Sequence, residues 1–77
     1  MEADTIRGLL AVAFPEATSL SVEDRTGGGD HFQVTVASAA FEGLSLVAQH
    51  KLVYDALEAP LADGTIHELR IKTRRTA

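Results

Sequence analysis

Three histidines are the side chains best suited to chemistry in this 77-residue chain, which contains no cysteine. His31 follows "GGGD" and opens the alternating stretch "HFQVTVAS", while His67 lies within "TIHELRIKT". Neutral imidazoles are common metal ligands, but two of them cannot complete a tetrahedral site. These residues alone therefore leave two interpretations open: an incomplete metal site whose other ligands come from elsewhere, or two ordinary strand histidines.

Other reaction chemistry has little support in the sequence, and we predict that the chain is not an enzyme. No serine lies in a glycine-flanked nucleophile elbow. The glycines at 27–29 lack the Lys-Ser/Thr of a phosphate-binding loop, and they open a strand where such a loop opens a helix. The acids Glu23 and Asp24 are interpreted as a solvated strand end.

The first half of the chain predicts a helix followed by an antiparallel hairpin. Asp4 is a candidate N-cap and Pro15 ends the helix after Phe14. The helix has an apolar face formed by Ile6, Leu9, Leu10 and Ala13. "TSLSVED" predicts a strand, "RTGGGD" a loop, and "HFQVTVAS" a strand with Phe32, Val34 and Val36 on one side.

A second helix is predicted after "AAFEG", with Ser45 as its cap and Pro60 and "ADG" at its end. One apolar face is expected to contain Leu46, Val47, His50, Val53, Tyr54 and Leu57. His50 is accordingly interpreted as a core histidine that is hydrogen-bonded to the backbone.

The last strand, "TIHELRIKT", is predicted to place His67, Leu69, Ile71 and Thr73 inward and Ile66, Glu68, Arg70 and Lys72 outward. It forms a βαβ unit with the preceding strand and helix, so the two strands should run parallel. Parallel strands start at the same edge, which puts His31 and His67 about 5 Å apart at the backbone. The two histidines have opposite parity, but the glycines should give His31 freedom to move.

The length predicts one domain over residues 1–77, and the predicted order of helices and strands makes it an α+β domain. The net charge is −4, and four of the seven bases fall in the last eight residues. The acidic start "MEADTIRGLL" does not resemble a signal peptide, and no apolar run reaches 18 residues. We therefore expect a cytoplasmic protein without a membrane segment.

The stretch "FEGLSLVAQHKLVYDAL", followed by "IHELRIKT", resembles the BolA family. The resemblance covers nearly the whole chain and implies an αββαβ fold related to the type II KH domain, with a three-stranded mixed sheet and helices on one face. A turn at Phe41–Gly43 belongs to the structural pattern of the family. The short C-terminal helix often found in the family is expected to be absent or vestigial.

The resemblance also implies a heterodimer with a monothiol glutaredoxin. Such partners share a 2Fe–2S cluster that is ligated on one side by the glutaredoxin and by glutathione. On this chain His67 matches the family's ligand before the last strand, and His31 matches the second ligand from the loop between the first two strands. No cofactor is expected on the isolated chain.

DNA binding is the alternative function. Some family members regulate transcription, and a basic surface is expected if the second helix and last strand lie side by side: Lys51, Arg70, Lys72, Arg74 and Arg75. The acidic net charge and the lack of a GXXG loop argue against it.

Nothing in the sequence requires a homodimer. Gln49 and Lys51 flank His50 where the family often has arginines, and Glu68 is expected to face solvent.

Overall fold

The computed structural model describes residues 1–75, which form three strands and three helices joined by short loops. The elements in chain order are α1 (Ala3–Ala13), β1 (Ser19–Asp24), β2 (His31–Ala37), α2 (Leu46–Ala56), α3 (Glu58–Ala62) and β3 (Glu68–Arg74), with a 3-10 turn at Ala39–Phe41. The predicted αββαβ order is confirmed, with one additional short helix before β3.

The three strands form a single mixed sheet in the order β1-β2-β3. β1 pairs with β2 antiparallel, whereas β2 pairs with β3 parallel. In the parallel pair His31 lies opposite Glu68 and Val34 lies opposite Ile71. The predicted hairpin and parallel crossover are both confirmed, and the start of β2 therefore lies beside the start of β3.

The hydrophobic core lies between one face of the sheet and the helices. Phe32, Val34 and Val36 of β2 are fully buried, as the alternating pattern predicted. They form one cluster with buried residues of the helices and loops: Ile6, Leu10, Phe14, Phe41, Val53, Leu57 and Ile66. Burying a side chain of this size stabilises the fold by about 1.5–3 kcal/mol, so the central strand is the most firmly held part of the sheet.

The start of α1 differs from the prediction. The helix begins at Ala3, and its N-cap position is taken by Glu2, whose side chain makes no capping hydrogen bond. Asp4 lies in the first turn, where a carboxylate is favoured by the helix dipole. The N-cap assignment for Asp4 is therefore wrong. The predicted end of the helix is confirmed, because Phe14 is its C-cap residue.

The cap of α2 was predicted correctly, since Ser45 accepts a hydrogen bond from the backbone N–H of Ala48. The prediction of which face of α2 is buried was wrong. Leu46, Val47 and Tyr54 are 61%, 81% and 46% exposed, and only Val53 and Leu57 of the predicted face are buried. The helix instead turns Gln49 inward, where it is 6% exposed. Apolar character alone therefore assigned the wrong side of this helix.

The buried Gln49 fastens α2 to the last strand. Its Nε2 donates to the carbonyl of Leu44 at 2.9 Å, and its Oε1 accepts from the hydroxyl of Thr73 at 2.6 Å. Both polar ends of the side chain are thus satisfied, which is the condition for burying an amide at low cost. Where the sequence suggested only a loss of basic character, this residue has a structural role.

Pro60 does not end the second helix. α2 ends at Ala56, and Pro60 lies buried inside α3, where it occupies the third position. A proline is tolerated in the first turn of a helix because its missing N–H would have no partner there. The break between the two helices falls at Leu57 instead.

The turn at Phe41–Gly43 has the predicted structural role. Phe41 is fully buried and its ring packs against Phe14, with 5.3 Å between the ring centroids. Gly43 has a φ of 75°, a conformation that residues with a side chain seldom adopt. Over residues 1–75, no helix has the length and apolar character that crossing a membrane requires. The predicted absence of a C-terminal helix concerns residues beyond 75 and lies outside the described residues.

Candidate metal centre

The two strand-start histidines lie side by side at one end of the sheet. His31 is the first residue of β2, and His67 immediately precedes β3. Because His31 pairs with Glu68, the two histidines are offset by one position across the parallel ladder. Their ring centroids are 6.2 Å apart and the rings are nearly perpendicular, at 81°. The predicted convergence is confirmed.

Backbone hydrogen bonds fix this end of the ladder. The carbonyl of Asp30 accepts from the N–H of His67 at 2.8 Å and from that of Glu68 at 3.2 Å. The carbonyl of His31 accepts from the N–H of Arg25 at 2.8 Å on the other side. These hydrogen bonds therefore fix the backbone at both histidines.

A single carboxylate lies between the two imidazoles. Oδ1 of Asp30 is 2.9 Å from Nδ1 of His31, and Oδ2 of Asp30 is 3.4 Å from Nδ1 of His67. An ionised carboxylate only accepts hydrogen bonds, so Nδ1 of His31 must be the donor. The sequence interpretation missed Asp30, although an acid directly before a strand-start histidine was the available signal.

The side chain of His67 does not point inward as predicted. It is 64% exposed, whereas that of His31 is 33% exposed. Ile66, which was predicted to face outward, is instead buried with 3% exposure. The regular strand begins only at Glu68, so the alternation does not extend back to these two residues. Both imidazoles are consequently accessible from solvent.

Glu68 is also part of this end of the sheet, although it was expected simply to face solvent. Its Oε2 is 3.8 Å from Nε2 of His31, and its Oε1 accepts a hydrogen bond from Nε of Arg70 at 3.0 Å. The distance to His31 is too long for a hydrogen bond. Glu68 therefore supplies negative charge near His31 while being held by Arg70.

The loop that carries Asp30 is more organised than a run of glycines suggested. Oδ1 of Asp24 accepts from the N–H of Gly27 at 2.9 Å, and its Oδ2 accepts from that of Gly29 at 3.0 Å. Gly27 and Gly29 have φ values of 77° and 76°, which glycine adopts without strain. Asp24, interpreted from sequence as one of a solvated pair, anchors the loop.

The contact between Asp30 and His31 alters the pKa of both residues. The hydrogen bond from His31 holds the pKa of Asp30 below its ordinary value of 3.8. The hydrogen bond to Asp30 raises the pKa of His31 above 6.5, with smaller contributions from the charges of Asp30, Glu68 and Asp24. The two shifts have opposite directions, so the contact widens the pH range over which both residues are charged.

His50 is not a core histidine. It is half-buried on α2 and borders a shallow groove with Val47, Lys51 and Tyr54. Nowhere in the described part of the chain does its ring make a hydrogen bond to the backbone, so the predicted role is wrong. The cause is the rotation of α2, which directs Gln49 and Val53 into the core instead.

The five basic residues do not form one surface. Arg70, Lys72 and Arg74 lie on the exposed side of β3, whereas Lys51 lies on the helical layer and pairs with Asp55 at 3.0 Å. Arg70 is paired with Glu68, and Arg75 donates to the carbonyl of Leu44. The predicted joint basic surface is therefore wrong, and a phosphate backbone would meet only part of this charge.

The donor set at the sheet end fits a metal that is only partly held by this chain. Two accessible imidazoles are suitable ligands, and their Nδ1 atoms face a carboxylate, as is usual for metal-binding histidines. Within residues 1–75, no group of three or more histidine, cysteine, aspartate or glutamate side chains is arranged to hold a metal ion. A metal at this position would need further ligands from another molecule.

Comparisons with known proteins agree with this architecture. A family model described as "BolA-like protein" matches residues 13–77. The uncharacterized protein RP812 of Rickettsia prowazekii is 34% identical over 73 residues, covering 95% of this chain and 92% of the relative. BolA-like protein 1 of Bos taurus is 47% identical over 51 residues, but the match spans 66% of this chain and only 37% of that longer protein.

A solved structure shares the complete fold. The BolA domain of SufE1 from Arabidopsis thaliana superimposes with a TM-score of 0.85 at 34% identity, covering 95% of this chain and 90% of that domain. The mixed three-stranded sheet and its helices are therefore those of the family that the matching model describes.

Proposed function

The chain belongs to the BolA-like protein family, and we propose that it is a non-enzymatic partner of a monothiol glutaredoxin with which it shares a glutathione-ligated 2Fe–2S cluster. The observation that carries this proposal is the pair of accessible imidazoles at the start of β2 and β3, with ring centroids 6.2 Å apart. Nδ1 of His31 faces Asp30 at 2.9 Å, so its Nε2 atom is the one that can ligate metal.

His31 and His67 are the residues that would hold the cluster on this side. The chain has no cysteine, so thiolate ligands have to come from the partner and from glutathione. Such a cluster supplies one-electron chemistry, and replacing thiolates by histidines tends to raise its reduction potential. The residues of this chain would supply two neutral imidazole ligands and hold them in a fixed orientation.

Anaerobic reconstitution tests this proposal. Iron and sulfide are supplied to a monothiol glutaredoxin with glutathione, in the presence and absence of this protein, and visible circular dichroism is recorded. We expect a spectrum that differs from that of the glutaredoxin alone and that changes in both His31→Ala and His67→Ala. The proposal fails if the spectrum remains that of the glutaredoxin.

His50→Ala is the matched control for these variants. It removes the same side chain from α2, a helix that carries neither strand-start histidine. We expect the spectrum of the mixed complex to be retained in this variant. If His50→Ala had the same effect as His67→Ala, the spectral change would report a general loss of the fold or of partner binding.

DNA binding is not favoured by any observation on the described residues. The basic side chains are distributed over two faces, and three of the five make contacts with acids or with a backbone carbonyl. A basic patch that attracts phosphates normally gathers its charges on one face. The sheet end with its histidines is therefore the better candidate site.

A further inference from the structure

The carboxylate of Asp30 lies between the two histidines and contacts both of them. A role toward only one histidine does not explain this placement. One oxygen faces Nδ1 of His31 and the other faces Nδ1 of His67, at 2.9 and 3.4 Å. Its own backbone carbonyl accepts from the N–H groups of His67 and Glu68. One residue thus contacts both histidines through its side chain and fixes one of them through its main chain.

We propose that Asp30 is a shared positioning residue that holds both imidazoles in the Nδ1-protonated tautomer and so leaves both Nε2 atoms unprotonated, as ligation of a metal would require. The contacts of Asp30 with the histidines are observed independently of the proposed function. Their use in metal ligation rests on that function. The hydrogen bond at one ring nitrogen decides which nitrogen of a neutral histidine carries the proton. Asp30 makes this hydrogen bond to His31 at 2.9 Å, and its second oxygen lies 3.4 Å from Nδ1 of His67, where a small side-chain rotation would let it accept from that ring too.

The surroundings of Asp30 support a positioning role over a purely structural one. The loop it closes is already fastened by Asp24, which accepts from Gly27 and Gly29. The Asp30 side chain makes no comparable bond to that loop, and its two oxygens are directed to the imidazoles. Its removal should therefore disturb the histidines more than the fold.

Three substitutions separate the roles of the two oxygens. Asp30→Ala removes both acceptors, whereas Asp30→Asn keeps one carbonyl oxygen and presents an amide group to the second ring. Asp30→Glu keeps the carboxylate but moves it by one methylene. Asp63→Ala is the matched control, because Asp63 also closes a loop, by accepting from the N–H of Thr65 at 2.8 Å, and contacts neither histidine.

The first readout is the tautomer in the isolated, iron-free protein, measured from ring ¹⁵N shifts at a pH where the histidines are neutral. We expect both rings to carry the proton on Nδ1 in the wild type and in Asp63→Ala. Asp30→Ala should shift both rings toward the Nε2-protonated form, while Asp30→Asn should shift one. Asp30→Glu should restore the wild-type tautomers at least partly. Backbone amide spectra check that each variant remains folded.

The second readout is the lifetime of the reconstituted complex with a monothiol glutaredoxin and glutathione. Loss of such an orienting carboxylate typically weakens metal binding by about 10–100-fold. We therefore expect faster cluster loss in Asp30→Ala but not in Asp63→Ala.

The inference is overturned if the wild-type rings are protonated at Nε2, or if Asp30→Ala leaves both tautomers and the cluster lifetime unchanged. Its failure is distinguishable from failure of the proposed function. Tautomers that respond to Asp30, with no shared spectrum even in the wild type, would sink the cluster proposal alone. A shared spectrum that depends on His31 and His67 but not on Asp30 would sink the positioning role alone.

Discussion

His31 and His50 are the same residue type in two regions that treat it differently. At the sheet end, His31 is fixed by the parallel ladder, contacts Asp30 at 2.9 Å and lies near a second imidazole. On α2, His50 borders an open groove beside Val47 and Tyr54, both of which are exposed. Strand pairing thus brings two imidazoles and a carboxylate together at the sheet end, whereas His50 on the surface of α2 lies apart from the other two histidines.

The difference shows that a pair of neighbouring histidines depends on what the backbone brings together from distant parts of the sequence. His31 and His67 are 36 positions apart in the chain and become neighbours only through the βαβ crossover. His50 lies between them in sequence, yet α2 places it in another region. Proximity in the sequence would have selected the wrong pairs.

The largest expected difference between the two regions is in stability. Phe32, next to His31, is fully buried, whereas Tyr54 on α2 is 46% exposed. We expect Phe32→Ala to lower the free energy of unfolding by about 3–5 kcal/mol, and Tyr54→Ala to lower it by less than half as much. Urea unfolding followed by far-ultraviolet circular dichroism measures both. Equal losses would contradict the assignment of α2's exposed face.

A smaller effect is expected from the inner side of α2. Gln49→Ala removes the partner of the Thr73 hydroxyl and one donor to the Leu44 carbonyl. Leaving buried polar groups unsatisfied costs about 1–3 kcal/mol, which should appear as a lower free energy of unfolding. Val47→Ala on the exposed side should change it by no more than about 0.5 kcal/mol. The assignment of the two faces is wrong if their order is reversed.

A loss of stability as the pH rises above 6.5 should be specific to the sheet end, because His31 is the group in the described residues whose pKa is raised. The lowered pKa of Asp30 gives stability that is present above 3.8 and is lost as the pH falls through the lowered value. The raised pKa of His31 gives stability that is present below 6.5 and is lost as the pH rises through the raised value. Asp30→Asn should therefore be most destabilising, relative to the wild type, between pH 3.8 and 6.5.

Thermal unfolding of the two proteins over this pH range measures the difference, and an NMR titration of His31 gives its pKa directly. In Asp30→Asn the pKa of His31 should move back toward 6.5. A stability difference that does not vary with pH would show that the carboxylate acts through something other than the charged pair. Asp63→Asn is the control: hydrogen bonds with Thr65 lower the pKa of Asp63, so its effect on stability should be lost at low pH but should not change as the pH rises above 6.5.

The part of this structure that follows from sequence is its regular frame. Alternation in β2 identified Phe32, Val34 and Val36 as core, and the βαβ rule placed His31 beside His67 before any contact was known. Two further residues were informative, since Pro15 directly follows the C-cap of α1 and Gly43 has a positive φ. These features depend on local chemistry and on topology, which the sequence contains.

The features that sequence did not predict depend on tertiary contacts. Which side of α2 is buried is decided by Gln49, whose hydrogen bonds to Leu44 and Thr73 make an amide more suitable for the interior than Val47. The exposure of His67 follows from the strand beginning at Glu68, three residues later than the pattern indicated. Asp30 looked like part of a flexible turn, because its role appears only once β3 lies beside it.

The most direct test of the central claim is pulsed electron paramagnetic resonance on the reduced mixed complex, with ¹⁵N-histidine incorporated only into this chain. We predict hyperfine couplings from two ¹⁵N nuclei, one of which is lost in His31→Ala and the other in His67→Ala, while His50→Ala retains both. A reduced cluster without any ¹⁵N coupling from this chain would contradict the claim that its two strand-start histidines are ligands.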